Sequence, residues 1–124
     1  MHIRQLQEFF DYKPDFSEDP QHIVDGIIAT AKTYLPAADV ATIQKTYEFA
    51  KAAHERGKRH SWEPYIVHPL RATVFLMFLK PDIATIHACI LHDVIEDTDI
   101  PYSTILKEFG KDVADLCEWL VKVS

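Results

Sequence analysis

Two apolar segments in close succession constrain this chain more than any other part of it. The first, Ile66 to Leu79, holds only His68, Arg71 and Thr73 as polar side chains among fourteen residues. A helix that is apolar nearly all round has to be buried on most sides, so this segment is expected to form the central helix of the fold. The second segment follows Lys80-Pro81-Asp82, a turn in which Asp82 is suited to cap a helix. It runs through Ile83, Ile86, Ala88, Ile90, Leu91, Val94 and Ile95. Neither segment shows the strict alternation of a half-buried strand, and no other part of the chain does. The expected class is all-α.

The second segment ends in His92-Asp93-Val94-Ile95-Glu96-Asp97-Thr98. Residues four apart share a helix face, so His92 lies over Glu96 and Asp93 lies over Asp97. His92 and Asp93 are about 100° apart around the axis. Both still reach one ion, because imidazole and carboxylate project to different depths. Polar groups among apolar neighbours cost several kcal/mol each unless paired or metal-bound. Taken alone, a solvated helix end with a satisfied core histidine explains this quartet about as well as a metal site. His68 shifts the balance. By itself, among Ile66, Val67, Leu70 and Val74, it reads more readily as a core histidine. Set beside His92 and Asp93 on another buried helix, the ligand reading gains. Two imidazoles and a carboxylate suit Mn, Fe or Zn better than Ca.

The remaining chain supplies more helices. Residues 2–10 can form a short one with Ile3, Leu6, Phe9 and Phe10 on one side. Asp11 to Pro20 reads as a linker, which makes 1–20 an N-terminal extension and 21–124 the domain. A helix from His22 to Tyr34 would turn Ile23, Ile27, Ile28, Ala31 and Leu35 inward, and Pro36 stops it. Asp39 is expected to cap the next helix, which runs to Arg56 with Val40, Ile43, Tyr47, Phe49, Ala50 and Ala53 as its apolar stripe. Gly57 ends it, and a basic, aromatic loop follows over Lys58 to Tyr65. Tyr102 to Phe109 is a short helix closed by Gly110, and Lys111 to Val123 begins another.

Bulk properties exclude several classes. The formal charge of −6, from 13 basic and 19 acidic residues, argues against a nucleic-acid surface, though not against a small anionic substrate. No apolar run approaches the ~18–20 residues of a membrane helix. The two cysteines, Cys89 and Cys117, sit in apolar helical sequence with no CxxC spacing, which suits a reduced, cytoplasmic protein. Three glycines leave no Gly-rich phosphate loop.

His68 followed by His92-Asp93 resembles the HD superfamily of metal-dependent phosphohydrolases. A closer likeness runs from about Leu35 to the C-terminus. Ala53-His54, Arg59, Ser61, Glu63-Pro64-Tyr65-Ile66, His68-Pro69-Leu70 and Leu91 to Thr98 resemble, in order and spacing, the hydrolase domain of RelA/SpoT homologues. Those proteins make and degrade the alarmone (p)ppGpp. The resemblance implies an HD-domain helical bundle that removes the 3′-pyrophosphate of (p)ppGpp. It implies Mn²⁺, or another divalent ion, on His68, His92 and Asp93. Glu96 and Asp97 match the acidic pair that positions or activates the attacking water. Arg59 and His60 match a basic pair at the guanine nucleotide, the second usually Lys, and Ser61 and Tyr65 share that loop.

The pattern departs in places. Trp62 stands where the family usually has Gly, and Glu118-Trp119-Leu120-Val121-Lys122 where it usually reads Asp-Gly-Val-Thr-Lys. The family's fourth ligand is an Asp further downstream than this chain reaches. The resemblance therefore implies the N-terminal part of a hydrolase domain from a longer protein with a synthetase domain, binding metal weakly and turning over little. Two other readings stay open: an HD phosphohydrolase for another nucleotide, and a non-catalytic HD module regulating an attached synthetase.

Overall fold

The computed structural model describes residues 19–56 and 66–123. Among the described residues the regular structure is helical throughout, as expected for an all-α chain. The expected helix at 2–10, most of the linker after it, Gly57 and the loop to Tyr65 lie outside the described residues.

Helix α1 spans Pro20–Ala31. Asp19 starts it by accepting from the Gln21 backbone N–H at 3.1 Å, and Pro20 sits in the first turn, where no N–H is needed. The helix thus opens two residues before the expected His22. It stops at Ala31, and a turn carries the chain to Pro36, with Leu35 N–H bonded to Ala31 O at 2.8 Å. Ile23, Val24, Ile27 and Ala31 are buried.

Helix α2 spans Ala37–Glu55. Asp39 does not cap it, contrary to expectation. Pro36 occupies the cap position with extended ψ of 148°, and its carbonyl already accepts from Asp39 N–H at 3.0 Å. Asp39 lies inside the first turn, where its charge complements the positive helix end. Val40, Ile43, Tyr47, Ala50 and Ala53 are buried as expected, and so is Thr46, whose hydroxyl returns to the Thr42 carbonyl at 3.0 Å.

The segment expected as one central helix is divided. Helix α3 covers Val67–Leu76, and a 3₁₀ turn over Met77–Leu79 ends at Lys80 with φ of 49°. Its far end is not central: Phe78 is 79 % exposed and Leu79 61 %. The central element is α4, Ile83–Asp97, which packs against α2, α3 and α6 (Lys111–Val123). Ile86, Ala88, Ile90, Leu91 and Val94 are fully buried along it. Asp82 caps α4 as expected, accepting from Thr85 N–H at 2.9 Å. Helix α5, Tyr102–Phe109, closes at Gly110 and packs on α6. No helix among the described residues is long and apolar enough to cross a membrane.

Candidate metal centre

The last two turns of α4 carry His92, Asp93, Glu96 and Asp97. The His92 Nδ1 lies 2.6 Å from the Cys89 carbonyl, one turn back on the same helix. A carbonyl only accepts, so Nδ1 carries a proton and donates it there, which leaves Nε2 to face the other way. That Nε2 lies 3.1 Å from Asp93 Oδ1, with the two side chains 13 % and 16 % exposed. Two acceptors facing each other at this distance repel unless a proton or a cation lies between them. The pair is placed to share either a proton or a divalent ion. An imidazole whose other nitrogen is tied to a backbone carbonyl also has the orientation that metal-binding histidines usually show.

The surrounding charge points the same way. Asp93, Glu96 and Asp97 gather at the C-terminal, negative end of α4, and its last turn holds no basic residue. Acids are disfavoured there by the helix dipole. A bound cation would offset that cost. Thr98 then ends the helix: its hydroxyl donates to Val94 O at 2.5 Å and accepts from Ile100 N–H at 3.1 Å. Glu96 is exposed, while Asp97 is partly buried.

His68 is half-buried on α3, which packs against α4. Among the described residues no three His, Cys, Asp or Glu side chains are gathered closely enough to hold a metal ion. The structure brings His92 and Asp93 together and does not gather His68 with them. The difference is one of topology. His92 and Asp93 are chain neighbours, whereas His68 has to reach across from another helix. Arg59, His60, Ser61 and Tyr65, with Trp62, lie outside the described residues. Trp119 is 59 % exposed on α6.

Sequence reasoning missed the Cys89 carbonyl that sets the His92 tautomer. A histidine in a helix reaches the carbonyl three residues back in one rotamer only, and the sequence does not say which rotamer it takes. His87, on another part of α4, belongs to a different arrangement. Its Nε2 lies 2.8 Å from Thr42 Oγ1 on α2, and its ring meets Phe109 edge-on at 6.0 Å. Burial pushes its pKa below the usual histidine range, and the Asp39 charge only partly opposes this.

A helical fold with an adjacent His-Asp pair at the end of its most buried helix defines a class. Residues 46–124 match the HD domain family, and the chain belongs to it. Among its relatives is the bifunctional (p)ppGpp synthase/hydrolase SpoT of Escherichia coli strain K12, 38 % identical over 102 residues, which is 82 % of this chain and 14 % of that protein. The guanosine-3′,5′-bis(diphosphate) 3′-pyrophosphohydrolase of Aquifex aeolicus strain VF5 is 48 % identical over 81 residues, 65 % of this chain and 12 % of that protein. The Vibrio cholerae serotype O1 protein of the same name is 34 % identical over 102 residues, 82 % of this chain and 14 % of its own length. The chain thus spans about a seventh of the length of such relatives.

Proposed function

We propose that this HD domain, residues 21–124 behind an extension at 1–20, belongs to a cytoplasmic (p)ppGpp 3′-pyrophosphohydrolase. The observation that carries the reading is the His92–Asp93 pair, an imidazole nitrogen and a carboxylate oxygen 3.1 Å apart, with the other ring nitrogen on the Cys89 carbonyl. Relatives named for this hydrolysis cover most of the chain. In a protein of the relatives' length, the rest of the chain would carry a synthetase domain.

His68, His92 and Asp93 are the residues that would hold Mn²⁺. When bound, such an ion lowers the pKa of water and offsets charge at phosphorus. Glu96 lies one turn beyond His92, on the same face and open to solvent. It takes the proton of the attacking water, and Asp97 holds the water network beside it. The water oxygen bonds to the phosphorus attached to the 3′ oxygen, and that P–O bond breaks. The 3′ oxygen takes up a proton, leaving GDP or GTP and free pyrophosphate. Arg59 supplies charge or stacking against the guanine nucleotide, with His60 as the second member of that pair and Ser61 and Tyr65 in the same loop.

The test is Mn²⁺-dependent release of pyrophosphate from ppGpp by the longer protein that carries this domain. Glu96→Gln is expected to lower the rate about 100-fold while Mn²⁺ affinity stays within twofold of the parent. An unchanged rate would remove Glu96 from the mechanism. Turnover of a different nucleotide, with none of ppGpp, would move the domain to another HD phosphohydrolase class.

A further inference from the structure

Helix α1 leans more on α3 than on α2, and a groove of about 400 Å³ is left open between α1 and α2. Ile28 and Lys32 on α1 and Ala37, Val40, Ala41 and Gln44 on α2 line it, and its wall is almost wholly apolar. Ala37 and Ala41 are exposed, and Ile28 is only partly buried. A short turn joins the two helices, so they run antiparallel. The two ends of the groove differ in charge. At one end Gln21 and Gln44 exchange amide hydrogen bonds across it, at 2.8 and 2.9 Å. Gln21 also donates to Asp25 at 2.9 Å and Gln44 to Glu48 at 3.3 Å, which sets two carboxylates there. Lys45, next to Gln44 in sequence, offsets only one of them. At the other end, beside the turn, stands the exposed Lys32.

Residues 2–10 carry Ile3, Leu6, Phe9 and Phe10 at the spacing of one helix face. As a helix this stretch is about 13.5 Å long. The groove runs beside α1 from Gln21 to Lys32, about 16 Å at about 1.5 Å per residue, so the two match in length. The chain from Phe10 to Asp19 extends to about 30 Å, enough to return along the whole groove. An amphipathic helix laid in an apolar groove is a common mode of recognition. Charge chooses its direction. The stretch has Arg4 near its start and Glu8 and Asp11 at its end. Parallel to α1, its start meets Asp25 and Glu48 and its end meets Lys32. The helix dipole is then aligned in the same sense, positive end to the carboxylates and negative end to the lysine. Antiparallel to α1, every one of these pairings turns repulsive.

We propose that residues 2–10 dock as a helix in the α1–α2 groove, parallel to α1, with Ile3, Leu6, Phe9 and Phe10 against its apolar wall. The docking makes the N-terminal extension part of the domain, and it is independent of any metal at the end of α4. It is tested on the full chain with a spin label on one introduced thiol, His2→Cys or Asp11→Cys. The native Cys89 and Cys117 are buried and stay unlabelled. Paramagnetic broadening of backbone amide signals is read by NMR. The label at position 2 should broaden Gln44 more than Ala37, and the label at position 11 should do the reverse. Ala41→Glu, at an exposed position in the groove, and Leu6→Glu, on the docked stretch, should each abolish the broadening while the helical circular dichroism is kept. Should Ala41→Glu lose its helical signal, Leu6→Glu alone decides. Broadening centred elsewhere, at Phe78 and Leu79 for instance, overturns the proposal, and so does the opposite order of the two labels. Broadening that survives Leu6→Glu overturns it too. The last control mixes spin-labelled chains with isotope-labelled chains that carry no spin label. Broadening in that mixture would seat a second copy in the groove and remove the intramolecular docking; sharp signals there are the expected result.

Discussion

What a histidine does in this chain is set by what each of its two nitrogens faces. In His92, one nitrogen is tied to a carbonyl and the other is left to an acid, which is the disposition of a ligand. In His87, Nε2 faces a hydroxyl whose own proton goes to the Asp39 carbonyl at 2.6 Å, so Nε2 must donate. The neutral ring completes that network, and burial holds its pKa below the ordinary 6.5. The unfolded chain takes up this proton near pH 6.5, and the folded chain only at lower pH. The stabilisation from the neutral ring is therefore full above about pH 6.5 and is lost as pH falls through the folded value. We expect the urea midpoint to drop between pH 7 and pH 5, and His87→Gln to remove part of that drop. Identical pH slopes for parent and variant would show that the ring titrates alike in both states. His92 could be singled out from sequence because its acid is the next residue. His87 could not, because its partner Thr42 lies 45 residues away on another helix.

Helix ends were legible wherever the neighbouring residues decide them, as at Asp82 and Gly110. They were misread where the preceding residue had already made the turn, as Pro36 does ahead of Asp39. The two described glycines separate backbone strain from side-chain space. A Cβ added at either Gly26 or Gly110 meets nothing within 4 Å. Gly26 lies inside α1, on an exposed face, where glycine only weakens the helix. Gly110 follows α5 with φ of 92° and ψ of 171°, a region that side chains rarely enter. The same substitution should therefore act with opposite signs. Gly26→Ala should stabilise by up to about 1 kcal/mol, and Gly110→Ala should cost about 1–3 kcal/mol. Urea denaturation of the two variants checks both. A Gly110→Ala protein as stable as the parent would mean that the turn relaxes to a negative φ.

At the scale of the molecule, sequence gave the class and most of the inward faces but chose the wrong centre. The apolar run of Ile66 to Leu79 shows that its side chains avoid water, not that each finds a partner. Its last turn, with Phe78 and Leu79, lies at the exposed end of the α3–α4 hairpin. Helix α4 carries acids at one end and looks less apolar as a whole, yet α2, α3 and α6 all pack on it. Which helix is central depends on its contacts with α2 and α6, from elsewhere in the chain, and no short window of residues contains them. The two helices should then respond unequally to truncation. Ile90 is fully buried on α4, so Ile90→Ala should cost about 2–5 kcal/mol, the lost transfer energy plus the cavity left behind. Phe78 removes more side chain on paper, but most of that ring is already in water, so Phe78→Ala should change stability by about 0.5 kcal/mol or less. Urea midpoints measured side by side decide the matter. If Phe78→Ala proves as costly as Ile90→Ala, the end of α3 is covered in solution, and the ranking of the two helices has to be reversed.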